Sequence, residues 1–81
     1  MYREDILEKI LHVAEQHNVL NADEIKEIGE QTPINDYLDS MDETELVMFI
    51  EREFDIAITD AEVENCTTFG DVVAIVDQRL L

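Results

Sequence analysis

The sequence predicts an all-α domain, a small antiparallel four-helix bundle with three long helices and one short. Three observations carry that expectation. Apolar residues recur at helical spacing in three separate stretches. Three hydroxyl residues each stand three positions ahead of an acid, the pattern of a capped helix start: Ser40 with Glu43, Thr59 with Glu62 and Thr68 with Asp71. The one short extended candidate, residues 55–58, has no partner strand and reads as a connector.

Residues 3–16 place Ile6, Leu7, Ile10, Leu11, Val13 and Ala14 on one face, with Glu4, Glu8, Lys9, His12, Glu15 and Gln16 opposite. Asn18 breaks the pattern. Asn21 then caps a short piece that ends near Gly29. Residues 29–38 form a loop punctuated by Thr32-Pro33, with Ile34, Tyr37 and Leu38 apolar enough to pin it to the bundle. Ser40 opens the second long helix, whose stripe is Leu46, Val47, Phe49, Ile50 and Phe54. After Thr59 only a turn or two fits before Thr67. After Thr68 the stripe Phe69, Val72, Val73, Val76 and Leu80 closes the chain. The β-branched run at 72–76 suits a strand by propensity, but the capped start and the spacing favour helix.

At 81 residues the chain is expected to be one domain, residues 1–81, hiding only about 60–65% of its unfolded surface. Such a core leaves little room for a catalytic cleft. A single cysteine permits no internal disulfide and no cysteine cluster for zinc, and points to the cytoplasm. The apolar runs are too short to insert into a membrane, and residues 1–5 have no signal-peptide character. Net charge is −16, from 21 acids against five bases. Nucleic acid and anionic membranes are therefore poor partners, because both require neutralising cations. The 46% hydrophobic content argues against a disordered acidic chain. Basic protein surfaces are the partners that such a charge steers.

Few residues carry chemistry. His12 and His17 are too few and too badly spaced to form a metal site with Cys66. Asp36, Asp39 and Asp42 lack the spacing and the glycine of a calcium loop. No catalytic triad and no glycine-rich phosphate loop is present. Cys66 reads as a small buried residue. Ser40 has two readings. As an N-cap, its replacement by Ala costs about 1 kcal/mol and nothing else follows. As a hydroxyl at a helix start it is also well placed to carry a phosphate, which the partial positive charge there favours by about 0.3–1 kcal/mol.

The run Asp39-Ser40-Met41-Asp42-x-x-Glu45-Leu46-Val47, followed by Ile50-Glu51-x-Glu53-Phe54-Asp55-Ile56 and then Thr67-Thr68, resembles the acyl carrier protein family. The resemblance implies that Ser40 bears 4′-phosphopantetheine, donated from coenzyme A by a phosphopantetheinyl transferase. It implies a carrier of thioester-linked acyl chains and not an enzyme, so Cys66 is not the carrier thiol. It makes the helix after Ser40 the recognition helix, with Asp39, Met41, Asp42, Glu45, Met48 and Glu51 facing partners. Those partners would be acyl-loading, ketosynthase or acyltransferase-type enzymes with basic surfaces, serving fatty-acid or polyketide-type synthesis. The acyl slot would be lined by Leu46, Ile50, Val63, Cys66 and Phe69, in a monomer.

The chain departs from the family pattern at Met41, Thr44, Phe49, Arg52 and Cys66, which suggests a carrier dedicated to one pathway. Two alternatives share some of these features. A peptidyl- or D-alanyl-type carrier would keep the serine and load amino acids. An unmodified acidic helical adapter would bind basic proteins with Ser40 as a cap alone.

Overall fold

The computed structural model describes residues 1–81 and is all-helical. Three long helices, α1 (Arg3–Gln16), α3 (Ser40–Phe54) and α5 (Phe69–Leu80), form the bundle. Two short ones, α2 (Ala22–Glu27) and α4 (Asp60–Glu64), sit on its flanks without a fully buried side chain between them. Both short segments therefore close into helices, where one was expected. Each has a complete capping box, Asn21 with Glu24 and Thr59 with Glu62, which satisfies two orphan N–H groups at each start. Thr68 and Asp71 form a third box at α5, and Asp71 accepts from the N–H groups of both Thr67 and Thr68.

The β-branched run at 72–76 is helical, as its capped start implied. Residues 56–59 are irregular, and the single ladder contact in the molecule joins Pro33 to Thr68. α3 ends on Asp55, which adopts the left-handed conformation at φ 55°. That turn returns the Ile56 N–H to the Glu51 carbonyl and brings the connector back along α3.

α1 is the central helix, packing on both α3 and α5. Its Lys9 pairs with Glu53 of α3, and His17 at its C-terminal end stacks on Phe49, so the two helices meet in opposite senses. The core gathers Ile6, Ile10, Ile50, Phe69, Val73 and Val76, all essentially inaccessible. Ile34 and Leu38 reach it from the long loop, as their apolar character required. Phe49 and Leu80 lie outside it. Phe49 is half-buried against the His17 ring, and Leu80 is exposed at the chain end.

The loop is tied to the start of α5 by three backbone hydrogen bonds. Ile34 donates to Thr67, Phe69 to Thr32 and Gly70 to Glu30. Arg3 closes the same corner, donating to Glu30 Oε1 and to the Gly70 carbonyl. A Cβ on Gly70 would stand 2.7 Å from the Glu30 carbonyl oxygen, so this approach requires glycine. Gly70→Ala should lower stability by about 1–2 kcal/mol in urea unfolding, even though helix propensity alone favours Ala by about 1 kcal/mol. A stabilised variant would show that the loop yields freely.

Candidate functional site

Asp39, and not Ser40, caps α3. Its backbone is extended, and its Oδ1 accepts from the Asp42 N–H at 2.8 Å. Ser40 is consequently the first residue inside the helix, and the expected box between Ser40 and Glu43 does not form. Aspartate and serine are both strong capping residues, and the one that precedes the first helical φ/ψ takes the role. Ser40 is exposed, and its hydroxyl has no partner within the chain; only its carbonyl is engaged by a side chain, Thr44 Oγ1 at 2.9 Å. Glu43 turns to a half-buried position, where burial pushes its carboxyl group above the usual range.

An unengaged, exposed Oγ on the first turn of a 15-residue helix suits a phosphodiester link. The neighbouring first-turn N–H groups point out of the helix start and favour an anion. Ser40 therefore fits the attachment of a phosphate-bearing arm. Asp39 and Asp42 flank the site, and their charges oppose the phosphate while attracting a cationic protein.

The remaining residues expected to face partners divide. Met41 and Met48 are exposed to 74% and 45%, the large apolar side chains that stand open to solvent away from the chain ends, and Glu45 is exposed beside them. Asp39 is exposed, and Asp42 is half-buried. Glu51 is also half-buried, and its Oε2 accepts from the Ile58 N–H at 3.0 Å, fastening the connector after α3.

Leu46, Ile50 and Phe69 are core residues, and Val63 and Cys66 pack half-buried against the same core. The five are brought into one cluster. The shallow surface depressions lined by Asp5, Lys9, Val19, Gln31 and Cys66 include none of Leu46, Ile50, Val63 or Phe69. Cys66 borders a shallow groove with Glu62, Asn65, Asp71, Ala74 and Ile75. The Glu62 carboxylate receives the Thr59 cap and also pairs with Arg79, which holds α4 to the end of α5. Those bonds pull the Glu62 carboxyl group below its usual range. Sequence reasoning missed this tie, and the capping pattern at Thr59 was its only local signal.

Cys66 donates its S–H to the Glu62 carbonyl at 3.2 Å. Burial, with the nearby carboxylates of Asp71, Glu43 and Glu62, pushes the thiol up to about 11. The raised value keeps it protonated at pH 8, and thiolate accumulates only as pH approaches 11. Iodoacetamide at pH 8 should therefore modify Cys66 at least about tenfold more slowly than free cysteine. A rate equal to that of free cysteine would contradict this environment. No three His, Cys, Asp or Glu side chains are placed to hold a metal ion, and no helix is long and apolar enough to cross a membrane.

The family model for a phosphopantetheine attachment site matches residues 5–76. The acyl carrier protein of Phenylobacterium zucineum is 40% identical over 77 residues, spanning 94% of this chain and 95% of its own length. That of Caulobacter vibrioides is 40% identical over 76 residues, covering 93% and 95%. The acyl carrier protein of Thermotoga maritima is 34% identical over 79 residues, covering 96% and 95%.

Proposed function

The chain belongs to the acyl carrier protein family, and we propose that Ser40 is the residue through which it carries acyl groups for fatty-acid or polyketide-type synthesis. Members of this family are carriers and not catalysts, and their prosthetic group is covalent 4′-phosphopantetheine. When attached, the group supplies a terminal thiol that holds an acyl chain as a thioester. The observation that carries the assignment is the exposed, unbonded Ser40 hydroxyl one residue inside a helix that Asp39 already caps. Cys66, held protonated and half-buried, is a poor competitor for the cargo.

The acidic surface around Ser40 suits brief docking of basic enzymes: a phosphopantetheinyl transferase first, then loading, ketosynthase or acyltransferase-type enzymes. Electrostatic steering makes such association fast and modest in affinity. The short α4 buries no side chain fully and carries Val63 against the core cluster of Leu46, Ile50 and Phe69, which suits it to move aside for cargo. The departures at Met41, Arg52 and Cys66 support service in one dedicated pathway. The unpaired Cys66 suits a cytoplasmic location, and the high net charge suits a monomer.

Incubation with coenzyme A and a broad-range transferase should add one phosphopantetheine to the intact mass, and an acyl-activating enzyme should then load it. Transferase binding should weaken about tenfold or more between 50 and 500 mM salt. An unmodified chain would leave an acidic adapter as the better reading, and aminoacyl loading alone would point to a peptidyl-type carrier.

A further inference from the structure

α3 presents one exposed stripe that no other part of the fold covers. Met41, Glu45, Met48 and Arg52 follow one another at steps of four, three and four residues. At 3.6 residues per turn they fall within about 60° of each other. All four are exposed, and the stripe runs about 16 Å from Met41 to Arg52 at 1.5 Å per residue. Its head is acidic, with Asp39, Asp42 and Glu45. Its foot is basic.

Arg52 stands out among the cations. Arg3, Lys9 and Arg79 pair with Glu30, Glu53 and Glu62. Arg52 and Lys26 make no ion pair, and of these two only Arg52 lies on the helix that Ser40 opens. It stays unpaired although Glu51, Glu53 and Asp55 adjoin it in sequence. A cation in the last turn does complement the helix dipole. That effect explains neither the missing partner nor the exposed Met48 one turn before it. Glu51 turns inward and is engaged by the Ile58 N–H, exposed Glu53 pairs with Lys9, and exposed Asp55 lies beyond the last helical residue, so the unpaired charge on the stripe within the last turn of α3 is Arg52.

We propose that the stripe is a bipolar docking surface for an enzyme that sets cations against Asp39, Asp42 and Glu45 and a carboxylate against Arg52. Met41 and Met48 enter apolar recesses between those charges. This rests on the carrier reading and adds to it the charge pattern of the cognate partner. Arg52 then acts as a selector, rejecting enzymes whose docking surface is basic along its whole length. A second copy of the chain would also bring Glu45 against Arg52, but two bodies of net charge −16 repel each other.

The test uses the full chain before modification, and its probe is a phosphopantetheinyl transferase with an entirely basic docking surface, measured by calorimetry at low salt. Arg52→Glu should bind about tenfold tighter than wild type, Arg52→Gln about threefold tighter, and Glu45→Gln more weakly. Among single Lys or Arg to Glu reversals across the transferase surface, one should tighten binding of the wild-type chain and weaken binding of Arg52→Glu. Unchanged or weaker binding of Arg52→Glu would overturn the proposal, as would a concentration-dependent mass in sedimentation, which would assign the stripe to self-association. Unchanged melting curves exclude a folding effect. Intact mass after transfer reports Ser40 separately: docking without a mass gain refutes the carrier reading, whereas a mass gain with docking indifferent to residue 52 refutes the bipolar surface alone.

Discussion

Ser40→Ala should abolish phosphopantetheine addition entirely while changing the unfolding free energy by less than about 0.5 kcal/mol. The separation follows from the start of α3. The hydroxyl is the only group lost, and it bonds to nothing in the fold. Asp39→Ala should behave in the opposite way. It removes the acceptor for the Asp42 N–H and should cost about 1 kcal/mol in urea unfolding, yet it keeps the attachment atom. Mass spectrometry should then find Asp39→Ala still modified, at a reduced rate because a docking charge is gone. If Ser40→Ala destabilised the protein as much as Asp39→Ala, the cap would be shared between the two residues. If Ser40→Ala still gained the mass of the arm, the attachment atom would lie elsewhere.

The second large effect is on stability. Phe69 is 1% exposed and is the largest of the fully buried side chains. Phe69→Ala should cost about 3–5 kcal/mol, from lost transfer energy and the cavity left behind. A domain of this length has roughly 4–12 kcal/mol in total, so the loss is a large share of it and the variant should melt about 12 °C or more below wild type. Val63→Ala is the informative companion, because Val63 is half-buried on α4. Its cost should be below about 1.5 kcal/mol. The contrast bears on cargo. If Phe69 bordered a standing apolar slot, its truncation would be mild, and circular dichroism would show melting close to wild type. A large loss places Phe69 in a closed core, with any room for an acyl chain made by moving α4.

The helices and their caps were legible because they depend on neighbours three or four residues apart. Thr59 with Glu62 and Thr68 with Asp71 form the boxes that their spacing implied. At Ser40 the same reasoning erred by one position, since Asp39 and Ser40 are both capable caps and only the onset of helical geometry separates them. Glu51 and Arg52 pose a similar problem. Which of the two turns outward is decided by the left-handed Asp55, which brings Ile58 back onto the Glu51 carboxylate. The ties from Arg3 to Gly70 and from Arg79 to Glu62 join residues far apart in sequence; the capping pattern at Thr59 marks Glu62 but not its distant partner, and nothing local marks the first. The closed packing of Leu46, Ile50 and Phe69 was likewise hidden, because the set of apolar residues is the same whether they pack tightly or leave a gap.

The backbone bonds that tie residues 30–34 to residues 67–70 also bear on how the chain reaches this fold. Individual helices form within about a microsecond from contacts close in sequence. The junction of Pro33 with Thr68, by contrast, closes a segment of about 35 residues at an entropic cost of about 3 kcal/mol before any bond there is made. The search for this one encounter, and not the winding of helices, should govern the refolding rate. The segment carrying Ser40 lies inside that closure, so the hydroxyl takes its final setting only when the two distant stretches of chain have met.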